Sequence, residues 1–167
     1  MKIFVLISAL VLYGFIAISI KKFGLLTSYS AYSTKWIQEL KPRTVGVWDA
    51  MTFIAAFCML PPMIEAGPDN ILQVLGFFAP AYLIAVSRTP EWELNKKTHI
   101  LHSAFAILCA IIALAWMVFV CHTALVIIPA AIAALVLAMS LHRKDAYVFW
   151  GEMVLFISVH VSLLIIL

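Results

Sequence analysis

Charge is what this sequence has least of. Only 11% of its 167 residues are Asp, Glu, Lys or Arg, 65% are hydrophobic, and the mean hydropathy is +1.10. A water-soluble domain carries about 25% charged residues, so a single core wrapped in a polar shell is excluded. Chemical motifs are missing as well. There is no glycine-rich phosphate cradle and no Gly-x-Ser-x-Gly nucleophile turn. No lysine stands at the centre of an apolar run, where a retinal Schiff base would require one. The three cysteines, Cys58, Cys109 and Cys121, lie in or at the ends of apolar runs and read as small packing residues, not as a disulfide framework. No repeat, low-complexity tract or segment large enough for a soluble domain is present.

What is there is apolar length. Residues 3–20, 45–66, 71–86, 100–120, 124–141 and 147–167 form runs close to the roughly 20 residues that an α-helix needs to cross about 30 Å of hydrocarbon. The expectation is an all-α, polytopic transmembrane bundle of six spans, one domain over residues 1–167. The third run is the shortest and holds Gly76 and Pro80, but unpaired backbone amides are not tolerated in lipid, so it too is read as a helix. The first run lacks a small-residue cleavage site and is followed at once by Lys21 and Lys22, so it is taken as a retained span and not a secretory leader.

The loops after the first, third and fifth runs hold Lys21, Lys22, Lys35, Lys41, Arg43, Arg88, Lys96, Lys97, Arg143 and Lys144, ten of the 11 basic residues, leaving only Lys2 on the other side. The positive-inside rule makes those loops cytoplasmic and both termini non-cytoplasmic, in what reads as a bacterial inner membrane. The net charge of +3 is thereby a feature of topology and gives no reason to expect nucleic acid as a partner. Membrane lipids are the expected partners, with a second copy or another membrane protein as a further one, since Ala130, Ala131, Ala133, Ala134 and Ala138 make a small-residue face in the fifth run.

Two short cytoplasmic pieces read as interfacial collars. Trp36, Ile37 and Leu40 share one helical face before Pro42, and Thr89, Pro90, Glu91 and Trp92 have the cap, first-turn and interface residues of a second piece. Pro61, Pro62, Pro80 and Pro129 are candidate kinks.

The residues that carry information are polar groups at the membrane boundary, because burying them costs free energy unless they are paired or used. Asp49, Ser87, Arg88, His99, His102, His142 and Glu152 all fall at similar depth on the cytoplasmic side if helix directions alternate. They are the candidate ligand-binding set. An ion-paired version joins Arg88 to Asp49 or Glu152. A metal version uses His99 and His102, three residues apart on a helix, with Asp49 or Glu152 as a carboxylate ligand or general base and His142 as a further imidazole, for zinc. No catalytic residue is assigned, no cofactor is expected beyond that zinc alternative, and a binding role is favoured over an enzymatic one. A two-haem arrangement would pair His102 with His142 and His122 with His160 at two depths, but several of these histidines lie at span ends, where water competes for the ligand position.

The run Ser28-Tyr29-Ser30-Ala31-Tyr32-Ser33 leads through Trp36 to the second span. It resembles the serine-containing stretch after the first helix of the FRAG/DRAM group of six-helix membrane proteins. Trp48, the Met59-Leu60-Pro61-Pro62 run and the His99–His102 opening of the fourth span are similar to small bacterial proteins of that type. The resemblance implies a role in membrane lipid organisation or lipid-anchor remodelling. In eukaryotic members this serine stretch is expected on the non-cytoplasmic side, whereas the charge count here places Ser28 and Ser30 inside. A likeness in composition to the ceramidase-like hydrolases, which combine a serine, an aspartate and three histidines, involves Ser28 or Ser30, Asp49, His99, His102 and His160. Those enzymes have seven spans and a characteristic histidine spacing in the last; this chain has neither. The functional expectation is therefore an integral membrane protein that binds lipid or a small apolar partner at its cytoplasmic polar cluster. The alternatives are a metal-dependent lipid hydrolase and a small transporter or subunit of a membrane complex.

Overall fold

The computed structural model describes residues 1–40, 46–89, 96–122, 132, 136 and 146–167, and its regular structure there is entirely helical. Six helices follow in order: α1 (Lys2–Phe23), α2 (Ala31–Leu40), α3 (Gly46–Glu65), α4 (Gln73–Ser87), α5 (Lys96–Phe119) and α6 (Tyr147–Ile166). Four of them, α1, α3, α5 and α6, are long and apolar enough to cross a membrane. Helix α4 covers the expected third span but has 15 residues, about 22 Å at 1.5 Å per residue. The fifth expected span, with Pro129, His142 and the alanine face, lies outside the described residues except for the helical Ile132 and Val136. Pro42, Pro90, Glu91 and Trp92 lie outside them as well.

The helices are built inside out relative to a soluble bundle. The buried stripe of α1 is Val5, Ser8, Leu12, Phe15, Ile16 and Ser19, and that of α3 is Trp48, Thr52, Ala55, Ala56, Met59, Pro62 and Met63. Both repeat at three and four residues, the period of one helix face. Serine and threonine turn inward, while Leu10 on α1, Ile71 at the start of α4 and Ile111 on α5 face outward. In lipid the outward apolar surface costs nothing, and buried hydroxyls bond across helices.

Helices α3, α4 and α5 pack in sequence, α1 lies against α3, and α6 against α1 and α5. Pro61 and Pro62 do not end α3, which runs unbroken to Glu65. A carbonyl near them is taken by a neighbour: Trp116 Nε1–H on α5 donates to Met63 O at 3.3 Å. Gly76 on α4 lies so close to the same carbonyl that a Cβ there would collide with it. Around this contact Val5, Met59, Met63, Ala79, Trp116, Met117 and Leu163 form one apolar cluster. A second one toward the opposite end contains Leu12, Phe15, Tyr29, Tyr32, Trp48, Phe149 and Met153.

The segment between α1 and α2 is folded into the bundle instead of lying on it. Gly24 ends α1 with a left-handed φ of 77°, a conformation glycine adopts without strain. Ser28, Tyr29, Ser30 and Tyr32 are then buried. Trp36 on α2 is tied to α1: its Nε1–H donates to Ser19 Oγ at 2.9 Å, and its ring packs against Phe15 and Phe23.

Candidate functional site

The stretch 24–30 between α1 and α2, buried from Ser28 to Ser30, has backbone groups to satisfy outside a helix, and two of them are met on α6. The carbonyl of Thr27 accepts the N–H of Phe149 at 3.0 Å, meeting one of the orphan donors of the first turn of α6. One turn further on, Glu152 Oε2 accepts the backbone N–H of Tyr29 at 2.6 Å. The Tyr29 phenol meets Thr52 Oγ1 of α3 at 2.7 Å, and burial pushes that phenol up from its ordinary pKa, so it stays protonated. Ser28 and Ser30 share a hydroxyl contact at 3.1 Å.

These groups form one end of a cavity of about 210 Å³. Tyr29, Ser30 and Glu152 are its polar end, and Leu83, Val86, Ala106, Cys109, Leu155 and Phe156 give it an apolar body. A lateral groove of about 330 Å³ shares Ala110, Gly151 and Leu155 with it and has Ile132 across from it. At Gly151 a Cβ would meet no atom of the described residues within 4 Å. A small void of about 40 Å³, room for about one water, continues from the cavity past Leu83, Cys109, Leu155 and Phe156 to Ser8 and His160.

The residues expected to meet at the boundary fall into separate arrangements. Arg88 Nη1 pairs with Asp49 Oδ2 at 3.1 Å and lies over the ring of Phe53. Ser87 donates to Ile84 O of its own helix at 2.7 Å. His102 is buried and its Nδ1 approaches Thr89 Oγ1 at 2.9 Å and Thr89 O at 3.2 Å. Because the Thr89 hydroxyl gives its one proton to Val86 O, it accepts from His102, so neutral His102 carries its proton on Nδ1. His99 is exposed while His102 is buried: a spacing of three leaves two side chains about 60° apart, enough to straddle the edge of the packed face. Glu152 stands apart from this group, at the cavity. His142 lies outside the described residues. Among the described residues, no group of three His, Cys, Asp or Glu side chains is placed to hold a metal ion.

His160 is joined to α1. Its Nε2 lies 3.1 Å from Ser8 Oγ, and its Nδ1 lies 2.8 Å from Phe156 O and 3.1 Å from Tyr13 Oη. Ser8 in turn donates to Ala55 O of α3 at 2.9 Å. No neutral tautomer meets every contact. With the proton on Nε2, Ser8 accepts it and Tyr13 donates to Nδ1, but Nδ1 then faces Phe156 O as a second acceptor; with the proton on Nδ1, Phe156 O is satisfied and Ala55 O and Nε2 compete for the single Ser8 proton.

Sequence reasoning singled out Glu152 but missed Tyr29 as its backbone donor, Thr52 as the partner of the Tyr29 phenol, and Ser8 and Tyr13 as the partners of His160. The signal for Ser8 and Thr52 was available. Both lie on the same three-and-four stripes as the buried apolar residues of α1 and α3, which in a membrane helix marks an inward hydroxyl. No family model, characterised protein or solved structure matches this chain.

Proposed function

We propose that this protein binds a membrane-borne amphiphile, with the apolar part in the cavity between α4, α5 and α6 and the polar part at Glu152, Tyr29 and Ser30. The observation that carries this reading is the shape and chemistry of that cavity: about 210 Å³, apolar along its length, polar at one end only, and continuous in its lining with a lateral groove. The same reading takes the chain as six spans with both termini on the non-cytoplasmic face of an inner membrane. The polar end then lies at the depth of the cytoplasmic leaflet's headgroups, beside the basic loops.

The test is native mass spectrometry of the detergent-solubilised protein titrated with a total membrane lipid extract, wild type beside Gly151→Phe. Gly151 lines the cavity and a Cβ there meets no described atom within 4 Å, so a phenylalanine starts from open space; thermal unfolding verifies that the variant is folded. One retained lipid per wild-type chain, lost in the variant, supports the reading. Equal adducts on both proteins, or none on either, overturn it.

A further inference from the structure

Glu152 is a carboxylate in an apolar cavity with a single described hydrogen-bond donor, the N–H of Tyr29. Such a group meets the cost of burial either by taking up a proton or by gaining a positive charge beside it. The described ion pairs use Lys22 with Glu39 and Arg88 with Asp49, and no described basic side chain pairs with Glu152. A second feature of the same space favours a cation. Tyr29 and Phe156 both line the cavity, with ring centroids 5.9 Å apart in an edge-to-face arrangement. Aromatic surface thus stands beside the carboxylate, and an aromatic face attracts a positive group that has lost its water.

Resting on the amphiphile-binding reading, we infer that the ligand is cationic: a membrane-soluble amine or quaternary ammonium whose head lies against the Glu152 carboxylate and the Tyr29 and Phe156 rings, with its apolar body toward Leu83, Ala106 and Leu155. Glu152 supplies charge selection and the cavity supplies affinity for the chain. A sulfate or phosphate head would face the carboxylate directly and is rejected by like-charge repulsion. An uncharged hydroxyl head can donate a hydrogen bond to the carboxylate but lacks the charge–charge attraction, so it binds more weakly than the cation.

Three probes of equal chain length separate these cases: dodecyltrimethylammonium, dodecanol and dodecyl sulfate, each radiolabelled and titrated onto the full-length protein in lipid nanodiscs. Wild type is compared with Glu152→Gln, Glu152→Asp and Gly151→Phe. Glutamine keeps a carbonyl acceptor for the Tyr29 N–H, and thermal unfolding verifies that this variant is folded. Wild type is expected to bind the ammonium probe at least ten-fold more tightly than dodecanol and to bind dodecyl sulfate worst. Glu152→Gln should lose that preference, its ammonium and dodecanol affinities converging, and Glu152→Asp should recover part of it. An ammonium preference that survives Glu152→Gln, or equal affinity of wild type for all three probes, overturns the cationic assignment and leaves amphiphile binding standing. Failure of every probe to bind wild type, or unchanged binding in Gly151→Phe, overturns both.

Discussion

The backbone N–H of Tyr29 and the carboxylate of Glu152 are 123 positions apart in the chain and 2.6 Å apart in space. With the Thr27–Phe149 hydrogen bond one turn away, this contact clasps the loop between α1 and α2 onto the first turns of α6. The clasp gives the cavity its polar end, because the same loop brings in Ser30 and the Tyr29 ring. Fold and candidate site thus depend on one carboxylate, and its two roles can be separated by choice of substitution.

Glu152→Leu leaves the Tyr29 N–H buried without an acceptor, a loss of about 1–3 kcal/mol. Glu152→Gln keeps an acceptor of similar reach. Thermal unfolding in detergent should show a clear drop for the leucine variant and a much smaller one for the glutamine variant. Equal drops would mean that the charge, not the hydrogen bond, holds the loop.

Ser8 and His160 form one unit, so their substitutions should not add. Ser8→Ala removes the donor to Ala55 O and the Nε2 partner of His160 together. Each of Ser8→Ala and His160→Leu is expected to cost about 1–2 kcal/mol, and the double variant should cost measurably less than their sum. Denaturant titration of the three variants and wild type closes the cycle. Strict additivity would show that the 3.1 Å contact carries no energy.

The helical membrane character of this chain was legible because hydropathy and length are local properties, and α1, α3, α5 and α6 start or end within a few residues of the runs that marked them. The Asp49–Arg88 pair was legible too, since opposite charges at one boundary depth find each other. The loop insertion was not. Nothing in Ser28-Tyr29-Ser30 distinguishes a segment folded into the bundle from one lying at the interface, because the deciding partners, Thr52 and Glu152, come from elements far along the chain. Depth also grouped Glu152 with Asp49 and His102, whereas rotation about each helix axis decides which groups meet, and a boundary residue's rotation is set by packing.

The Arg88–Asp49 pair is expected to contribute little. The Arg88 side chain is 64% exposed, and an ion pair open to solvent is worth about 1 kcal/mol or less. Arg88→Ala should lower the unfolding midpoint in detergent only slightly, and the loss should shrink further in high salt. A large, salt-independent loss would place the pair's energy in the Arg88–Phe53 contact.

The close approach of α3 and α4 at Gly76 makes a further stability prediction. Gly76 on α4 lies against the carbonyl of Met63 on α3, the same oxygen that accepts the Trp116 indole at 3.3 Å. Gly76→Ala forces α3 and α4 apart and withdraws Met63 O from its donor, so two contacts fail through one methyl group. Overpacking of this kind costs about 1–3 kcal/mol. Trp116→Phe keeps most of the ring volume and removes only the donor, at about 1 kcal/mol. The control is Gly14→Ala on α1, where a Cβ meets nothing within 4 Å; a mid-helix alanine gains up to about 1 kcal/mol over glycine in helix propensity. Thermal unfolding should rank the three with Gly76→Ala least stable, Trp116→Phe intermediate and Gly14→Ala at or above wild type. A Gly76→Ala protein as stable as wild type would mean that α3 and α4 do not approach through this glycine.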